Sequence, residues 1–318
     1  MLNTINTYLD TLPYDRKPAS LYEPIKYVLA LGGKRIRPML MLMTYSLYKD
    51  DFQTILPQAI GLETYHNYTL LHDDLMDNAD VRRGNPTVHK KWDANTAILS
   101  GDSMLVLAYQ RMQQCPDDKL PAVLRVFTET ALEIGEGQQY DMEFETRNDV
   151  TEDEYIEMIR LKTSVLLACA MKIGAIMADA PQKDVDLLYR FGERMGLAFQ
   201  LQDDYLDVYG DPLVFGKAIG GDITSNKKTY MLINALNLAQ GDDKLELEKW
   251  INAEKFIRQD KVDAVTAIYN KLGIDKLAKA KMEVYYQEAL EALGEVNVPE
   301  EKKAELYAYA QKMMKRNK

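Results

Sequence analysis

Cysteine is nearly absent from this chain: Cys115 and Cys169 are the only two in 318 residues. That excludes a disulfide framework and a thiolate metal cage, and points to a reducing compartment. Histidine is almost as scarce, with three residues, which excludes most histidine-rich metal sites. Glycine and proline number only 17 and 11, against 47 % apolar residues, so a substantial helical core is within reach. Positive charge is in deficit. Lys and Arg total 39 against 49 Asp and Glu, and a net charge of −10 argues against a nucleic-acid surface. Long apolar runs are missing too: Val165–Met171 is the longest, is followed by Lys172, and cannot span a bilayer. Asp10 and Asp15 interrupt the N-terminal region, so no signal peptide is expected and the chain is read as soluble and cytoplasmic. Alternating strand patterns and a βαβ signature are absent as well.

What is present is a carboxylate pattern that occurs twice. Leu70–Asp77 reads LLHDDLMD and Leu201–Asp207 reads LQDDYLD, each with three aspartates in DDxxD spacing and no glycine or proline inside. A helix turns about 100° per residue, so Asp73 and Asp77 share a face, as do Asp203 and Asp207. Asp74 and Asp204 lie one residue round. Packed carboxylates repel and resist burial unless a cation neutralises them. An oxygen-only donor set of this kind suits Mg²⁺, an ion that usually also binds substrate phosphates.

Cations are concentrated in a few places. Gly33–Pro38, GKRIRP, follows a helix that stops at Gly32-Gly33 and precedes the apolar helix Met39–Tyr48. Such a run can be an ordinary solvated face, but at a helix start, where the dipole disfavours positive charge, cations gain from a bound anion. The Walker spacing is absent. Pro57 opens the helix carrying the first aspartate cluster, on which His66, Leu70, Asp73 and Asp77 form one stripe. His66 can serve substrate or core; His72 reads as a satisfied core residue. Arg82 and Arg83, in the loop Asp80–Thr87, either pair with the acidic cluster or grip phosphate bidentately. Lys162-Thr163 precedes a stretch of small apolar residues, where the lysine can simply snorkel. The helix Asp184–Val208 brings Gln200 one turn before Asp203, and the loop Gly210–Asn226 holds Lys217 ahead of Lys227-Lys228. Helices separated by a break at Cys115–Asp118, by GEGQQYD at Gly135–Asp141, and by joints at Gly241–Lys244 and Gly294–Pro299 account for the rest. Residues 1–318 are therefore expected to form a single all-α domain, a large helical bundle around a central apolar cavity. Two aspartate clusters, dispersed cations and a greasy bundle suit ionisation of an allylic diphosphate.

In the order GGKRIRP, LLHDDLMD, RRGNPT, GQQYD, KT, FQLQDDYLD, GK, GD and KKT, these landmarks resemble the trans-isoprenyl diphosphate synthases of the polyprenyl synthetase family, from about residue 25 to the C-terminus. The resemblance implies an Mg²⁺-dependent prenyltransferase that joins isopentenyl diphosphate to an allylic diphosphate and works as a homodimer. It implies that Asp73, Asp74, Asp77 and Asp203 hold three Mg²⁺, with Asp204 and Asp207 completing the second motif. Lys34, Arg37, His66 and Arg83 would hold isopentenyl diphosphate. Arg82, Lys162, Lys217 and Lys227 would hold the allylic diphosphate, with Thr163 and Gln200 beside the reacting carbons. The basic end Lys315–Lys318 resembles the family's tail that closes over isopentenyl diphosphate.

Product length is expected to depend on Tyr68 and Thr69, five and four residues before Asp73. A single aromatic with the short motif is similar to archaeal geranylgeranyl enzymes and implies a C15–C20 product, on the C20 side. Tyr68 lies about 140° round from Asp73, so spacing does not aim it down a tunnel; the ordinary alternative is a core or interface tyrosine. Terpene cyclases share one DDxxD but carry a different second motif. Regulatory subunits of heteromeric synthases commonly lose these aspartates, and all six are kept here. A farnesyl or longer-chain synthase is the nearer alternative. His72-Asp73 alone hints at a phosphohydrolase, which three histidines make improbable.

Overall fold

The computed structural model describes residues 1–211 and 219–315, so Lys217 and residues 316–318 lie outside the described residues. Two compact units emerge: Met1–Phe127 with Ala170–Val185, and Thr128–Cys169 with Asp186–Lys318. Both are built of helices. Among the described residues the only sheet is one two-stranded hairpin, and no helix is long and apolar enough to cross a membrane.

The first unit contains α1 (Leu2–Asp10), α2 (Ala19–Ala30), α3 (Ile36–Ser46), a 3₁₀ turn (Phe52–Ile55) and α4 (Leu56–Met76). Strands β1 (Val81–Arg82) and β2 (Asn85–Pro86) follow, then α5 (Val88–Lys91), α6 (Ala94–Met112) and the start of α7 (Leu120–Thr146). Helix α4 buries Ala59, Ile60, Leu62, Tyr65 and Leu71, each large side chain contributing about 1.5–3 kcal/mol. It lies close against α6 at two glycines. A Cβ on Gly61 would stand 2.9 Å from Arg111 Cβ, and one on Gly101 would stand 2.2 Å from His72 Nε2.

The second unit holds the remainder of α7, α8 (Glu152–Ile159), a π-helical turn (Arg160–Ser164), the first residues of α9 (Val165–Met177) and most of α10 (Gln182–Tyr209). Then come α11 (Gly221–Thr224), α12 (Tyr230–Leu238), α13 (Gly241–Ile251), α14 (Arg258–Leu272), α15 (Ile274–Gly294) and α16 (Glu300–Met314). A capping box starts α8, with the Thr151 hydroxyl accepting from the Glu154 amide and the Glu154 carboxylate accepting from the Thr151 amide. Tyr155, Leu197, Leu201, Ile233, Val265 and Tyr269 lie in this unit's core.

Several expectations change. The apolar helix starts at Ile36 rather than Met39, so Arg37 and Pro38 sit in its first turn. GEGQQYD is not a break: α7 runs through it to Thr146. Gly241 starts a helix with φ +54°, where a joint was expected. The loop after the first aspartates contains the β1–β2 hairpin. Its two-residue turn places Arg83 and Gly84 at φ +52° and +76°, the pattern of a type I′ turn. His72 is not a core residue; it is half-buried, 3.3 Å from the Ile98 carbonyl and edge-on to Tyr68.

Candidate active site

In the first unit the aspartates end a helix. Asp73 and Asp74 lie in the last turn of α4 and Asp77 is its C-cap, with the Asp77 amide 2.8 Å from the Asp73 carbonyl. The i, i+4 relation of Asp73 and Asp77 therefore holds. Carboxylates here face the negative end of the helix dipole and call for a cation. Asp74, the buried one, has found one: Arg82 Nε lies 3.0 Å from both its oxygens and Nη2 2.6 Å from Oδ1. Burial works against the Arg82 charge, but these hydrogen bonds outweigh it and raise the guanidinium above its ordinary value. The hairpin that carries Arg82 is itself fastened, with the Tyr27 hydroxyl donating to the Pro86 carbonyl at 2.7 Å.

The cations are not all equivalent. Arg35 is buried, with φ +49° at the N-cap of α3, and its guanidinium donates to Glu63 Oε1 at 2.7 Å and to the Leu29 carbonyl at 2.8 Å. It is spent on holding the turn. Lys34 is exposed. Arg37 Nη1 donates to His66 Nε2 at 3.1 Å. Because a guanidinium cannot accept, that nitrogen carries the lone pair and the imidazole proton sits on Nδ1. Burial, then Arg37 and Arg83, push the His66 imidazole well below its ordinary value, so it is neutral. Burial, together with Arg83, lowers Arg37 to about 10 despite the Glu63 charge. Its Nε is buried and has no hydrogen-bond partner among the described residues. Arg83 Nη1 donates to the Gly32 carbonyl, and a Cβ on Gly33 would meet the Arg83 guanidinium at 2.9 Å. The glycine pair thus lets Arg83 lie directly on the GGKRIRP turn.

Four residues before Asp73, Thr69 Oγ1 donates to the His66 carbonyl at 2.8 Å. Tyr68 belongs to an aromatic column, 4.8 Å from His72 and 5.5 Å from Tyr65 between ring centroids. Phe127 stands next to Tyr65 at 5.2 Å.

In the second unit, Lys162 and Thr163 lie in the π turn, a helical irregularity often found at functional sites. Glycines make room for it. A Cβ on Gly137 would stand 2.4 Å from the Lys162 amide nitrogen, and one on Gly196 would stand 2.5 Å from Ser164 Cα. Lys162 does not snorkel: Nζ lies 2.6 Å from Asp141 Oδ2. Burial would raise the Asp141 carboxyl, but Lys227 and Lys162 overcome it and hold it below its ordinary value. Thr163 Oγ1 donates to Gln200 Oε1 at 3.1 Å, and Gln200 Nε2 donates to Asp204 Oδ1 at 3.0 Å. The other Asp204 oxygen accepts from the Tyr155 hydroxyl. Burial, then Asp222, push the Asp204 carboxyl up to about 7. Asp207 Oδ2 accepts the Asp222 amide at 2.8 Å, at the start of α11.

The middle aspartate of each motif is therefore buried and engaged at both oxygens, whereas Asp73 and Asp203 are half-buried near the helix ends. No three His, Cys, Asp or Glu side chains converge into a closed metal site among the described residues. The donors nonetheless fit a hard cation: all are carboxylate oxygens, near negative helix ends, with Asp204 pushed up by burial and by the Asp222 charge. Sequence reasoning missed Tyr155, Asp141 and Glu63. Asp141 lies within GQQYD and could have been found there; a buried tyrosine on α8 has no local signal.

Comparison with known proteins identifies a family. The family model for polyprenyl synthetases matches residues 18–271. A short chain isoprenyl diphosphate synthase of Methanocaldococcus jannaschii is 44 % identical over 244 residues, 76 % of this chain and 72 % of that protein. A geranylgeranyl diphosphate synthase of Sulfolobus acidocaldarius is 34 % identical over 301 residues, 93 % and 90 % of the two chains. A crystal structure of a geranylgeranyl pyrophosphate synthase aligns with TM-score 0.93 at 43 % identity, covering 100 % of this chain and 99 % of the other. The chain belongs to the polyprenyl synthetase family.

Proposed function

We propose that the protein condenses isopentenyl diphosphate with a C5–C15 allylic diphosphate to give a trans prenyl diphosphate of C15–C20, on the C20 side. The observation that carries this is the Arg37–His66 pair. A buried guanidinium with an unpartnered Nε, beside a neutral imidazole and under the field of Arg83, gains strongly from a bound polyanion. Lys34, Arg37, His66 and Arg83 hold the isopentenyl diphosphate group. Arg82, Lys162, Lys217 and Lys227 hold the allylic one. Lys162 and Lys227 are poised for it by Asp141, whose carboxylate gathers both charges.

Asp73, Asp74, Asp77 and Asp203 are the proposed Mg²⁺ holders, with Asp204 and Asp207 supporting them; bound Mg²⁺ neutralises charge on the departing pyrophosphate. The allylic C1–O bond breaks and its electron pair leaves with pyrophosphate. The isopentenyl double bond then supplies the pair for the new carbon–carbon bond at C1. A proton is finally lost to the released pyrophosphate. Thr163 and Gln200 line the reacting carbons with oxygen atoms, and Tyr68 and Thr69 limit how far the product extends. The geranylgeranyl names of relatives support the C20 side. We further propose a cytoplasmic homodimer. Leu99 and Val106, 59 % and 65 % exposed and two turns apart on α6, offer an apolar stripe to a second copy.

Incubating the purified chain with Mg²⁺, isopentenyl diphosphate and C5, C10 or C15 starters, followed by product sizing, tests the reading. Consumption of isopentenyl diphosphate into C15–C20 products is expected. An allylic diphosphate consumed without isopentenyl diphosphate would refute it.

A further inference from the structure

Around Asp204 the hydrogen bonds run in one direction. The Tyr155 hydroxyl donates to Oδ2, Gln200 Nε2 donates to Oδ1, and Thr163 Oγ1 donates to Gln200 Oε1. Both Asp204 oxygens accept in this arrangement, so Asp204 sets which end of the Gln200 amide faces it. That choice leaves the amide oxygen toward Thr163, and the Thr163 hydroxyl must point its proton at Gln200. Its remaining lone pairs face elsewhere. The chain closes on itself: Tyr155 lies on α8, Asp204 and Gln200 on α10, and Thr163 in the π turn that directly continues α8. Tyr155 is 1 % exposed and Asp204 4 % exposed, so bulk solvent reaches neither partner.

We propose that Tyr155 is a positioning residue for prenyl transfer: by fixing Asp204 it sets the orientation of Gln200 and the direction of the Thr163 hydroxyl. This rests on the prenyl-transfer reading above. In the proposed reaction Thr163 and Gln200 stand beside carbons that become cationic, where an oxygen lone pair stabilises and an O–H or N–H proton repels. Tyr155 is buried, so it acts through Asp204 and not on a substrate. Its removal leaves Asp204 held at one oxygen only, so the carboxylate is free to shift and carries the Gln200 amide with it.

The experiment is Tyr155→Phe in the full chain, with Thr163→Val and the double variant. Steady-state kinetics are measured with both substrates, and calorimetric binding of Mg²⁺ with pyrophosphate is measured without turnover. The expected result is a kcat lower by about tenfold, the usual effect of removing an outer hydrogen-bond partner. The KM for isopentenyl diphosphate and the Mg²⁺–pyrophosphate affinity should stay within about twofold, because Tyr155→Phe keeps the Asp204 carboxylate and every proposed diphosphate-holding cation. The double variant should be no slower than Thr163→Val alone, since both changes break one chain. Unchanged kcat in Tyr155→Phe, additive losses in the double variant, or equal weakening of every parameter would each overturn the proposal. If Tyr155→Phe does not fold, Asp204→Asn replaces it. There the amide keeps an acceptor for Tyr155 but no longer dictates Gln200; since Asp204 also supports the metal, the deciding readout is Thr163→Val added to Asp204→Asn, which should lower kcat no further, and a further loss of the size seen for Thr163→Val alone overturns the proposal. Wild-type protein that fails to join the two substrates would instead count against prenyl transfer itself.

Discussion

Two glycines on one helix give opposite forecasts. Gly137 and Gly135 both lie inside α7. A Cβ on Gly135 meets nothing within 4 Å, whereas one on Gly137 would stand 2.4 Å from the Lys162 nitrogen and 2.8 Å from Leu161 C and Lys162 Cα. All three obstacles are backbone, so no side chain can swing aside. Ordinary contact begins near 3.4 Å, and α7 and the π turn must therefore part by about 1 Å, with a packing cost of about 1–3 kcal/mol. Against this stands the helix-propensity gain of Gly→Ala, about 1 kcal/mol, which both variants receive. Gly135→Ala should be stabilised by roughly that amount with unchanged kinetics. Gly137→Ala should be neutral to about 2 kcal/mol less stable. The kinetic effect should be larger, because about 1 Å of displacement at a positioned group can cost about 10²-fold in rate. Here the displaced residues are Lys162 and Thr163. Thermal unfolding and kcat, measured on the two variants side by side, check this. If Gly137→Ala matches Gly135→Ala in both stability and kcat, the claim that the π turn rests on Gly137 is wrong.

Other perturbations follow from single contacts. Glu63→Gln removes one member of an ion pair whose side chains are only 4 % and 3 % exposed, and urea unfolding should show a loss of about 3–5 kcal/mol; replacing Arg35 and Glu63 together by Met and Leu should recover much of it. Because the folded His66 imidazole is lowered, the unfolded chain binds its proton first as pH falls below the ordinary value of 6.5. Stability contributed above pH 6.5 is then lost on acidification, at up to about 1.4 kcal/mol per pH unit; His66→Gln should flatten that slope in melts recorded from pH 7 to 5. Tyr68→Ala opens the aromatic column at His72 and Tyr65, and chromatography should show longer products, with unchanged length counting against Tyr68 as the floor.

What could be read in advance follows physical range. DDxxD spacing, the helix start at Pro57 and the α10 boundaries are local, and they came out within a few residues of the observed Leu56–Met76 and Gln182–Tyr209. GEGQQYD misled because glycine in a helix normally marks an end; here Gly137 is kept for a contact with residues 161 and 162, which no local window contains. The π turn is invisible for the same reason: it is stabilised by Gly137 and Gly196 on other helices. Lys162 looked like a snorkelling lysine until Asp141 was found 2.6 Å away. Arg35, Arg37 and Arg82 look alike as letters, but Glu63, His66 and Asp74 give them three different tasks.

Charge and helix polarity are set against each other in each of the two units. Three aspartates end α4 and three sit in the final turns of α10, where the dipole already presents negative charge. Lys34, Arg35 and Arg37 gather at the start of α3, where it presents positive charge. Reversing either arrangement would stabilise the free protein by about 0.3–1 kcal/mol per charge. The fold offsets only part of this mismatch, and it does so selectively. Arg35 is neutralised by Glu63, Asp74 by Arg82, and Asp204 is hydrogen-bonded but still pushed up. These are the buried members, which could not stand alone. Asp73, Asp77 and Lys34, which are more accessible, and Arg37, its Nε buried and its Nη1 on the neutral His66, lie at helix ends of their own sign. A diphosphate brings negative charge to the α3 start, and its metal brings positive charge to the aspartate ends. If the proposed function holds, a metal–diphosphate, rather than a lone metal or a lone anion, is the ligand that brings opposite charge to both kinds of helix end at once.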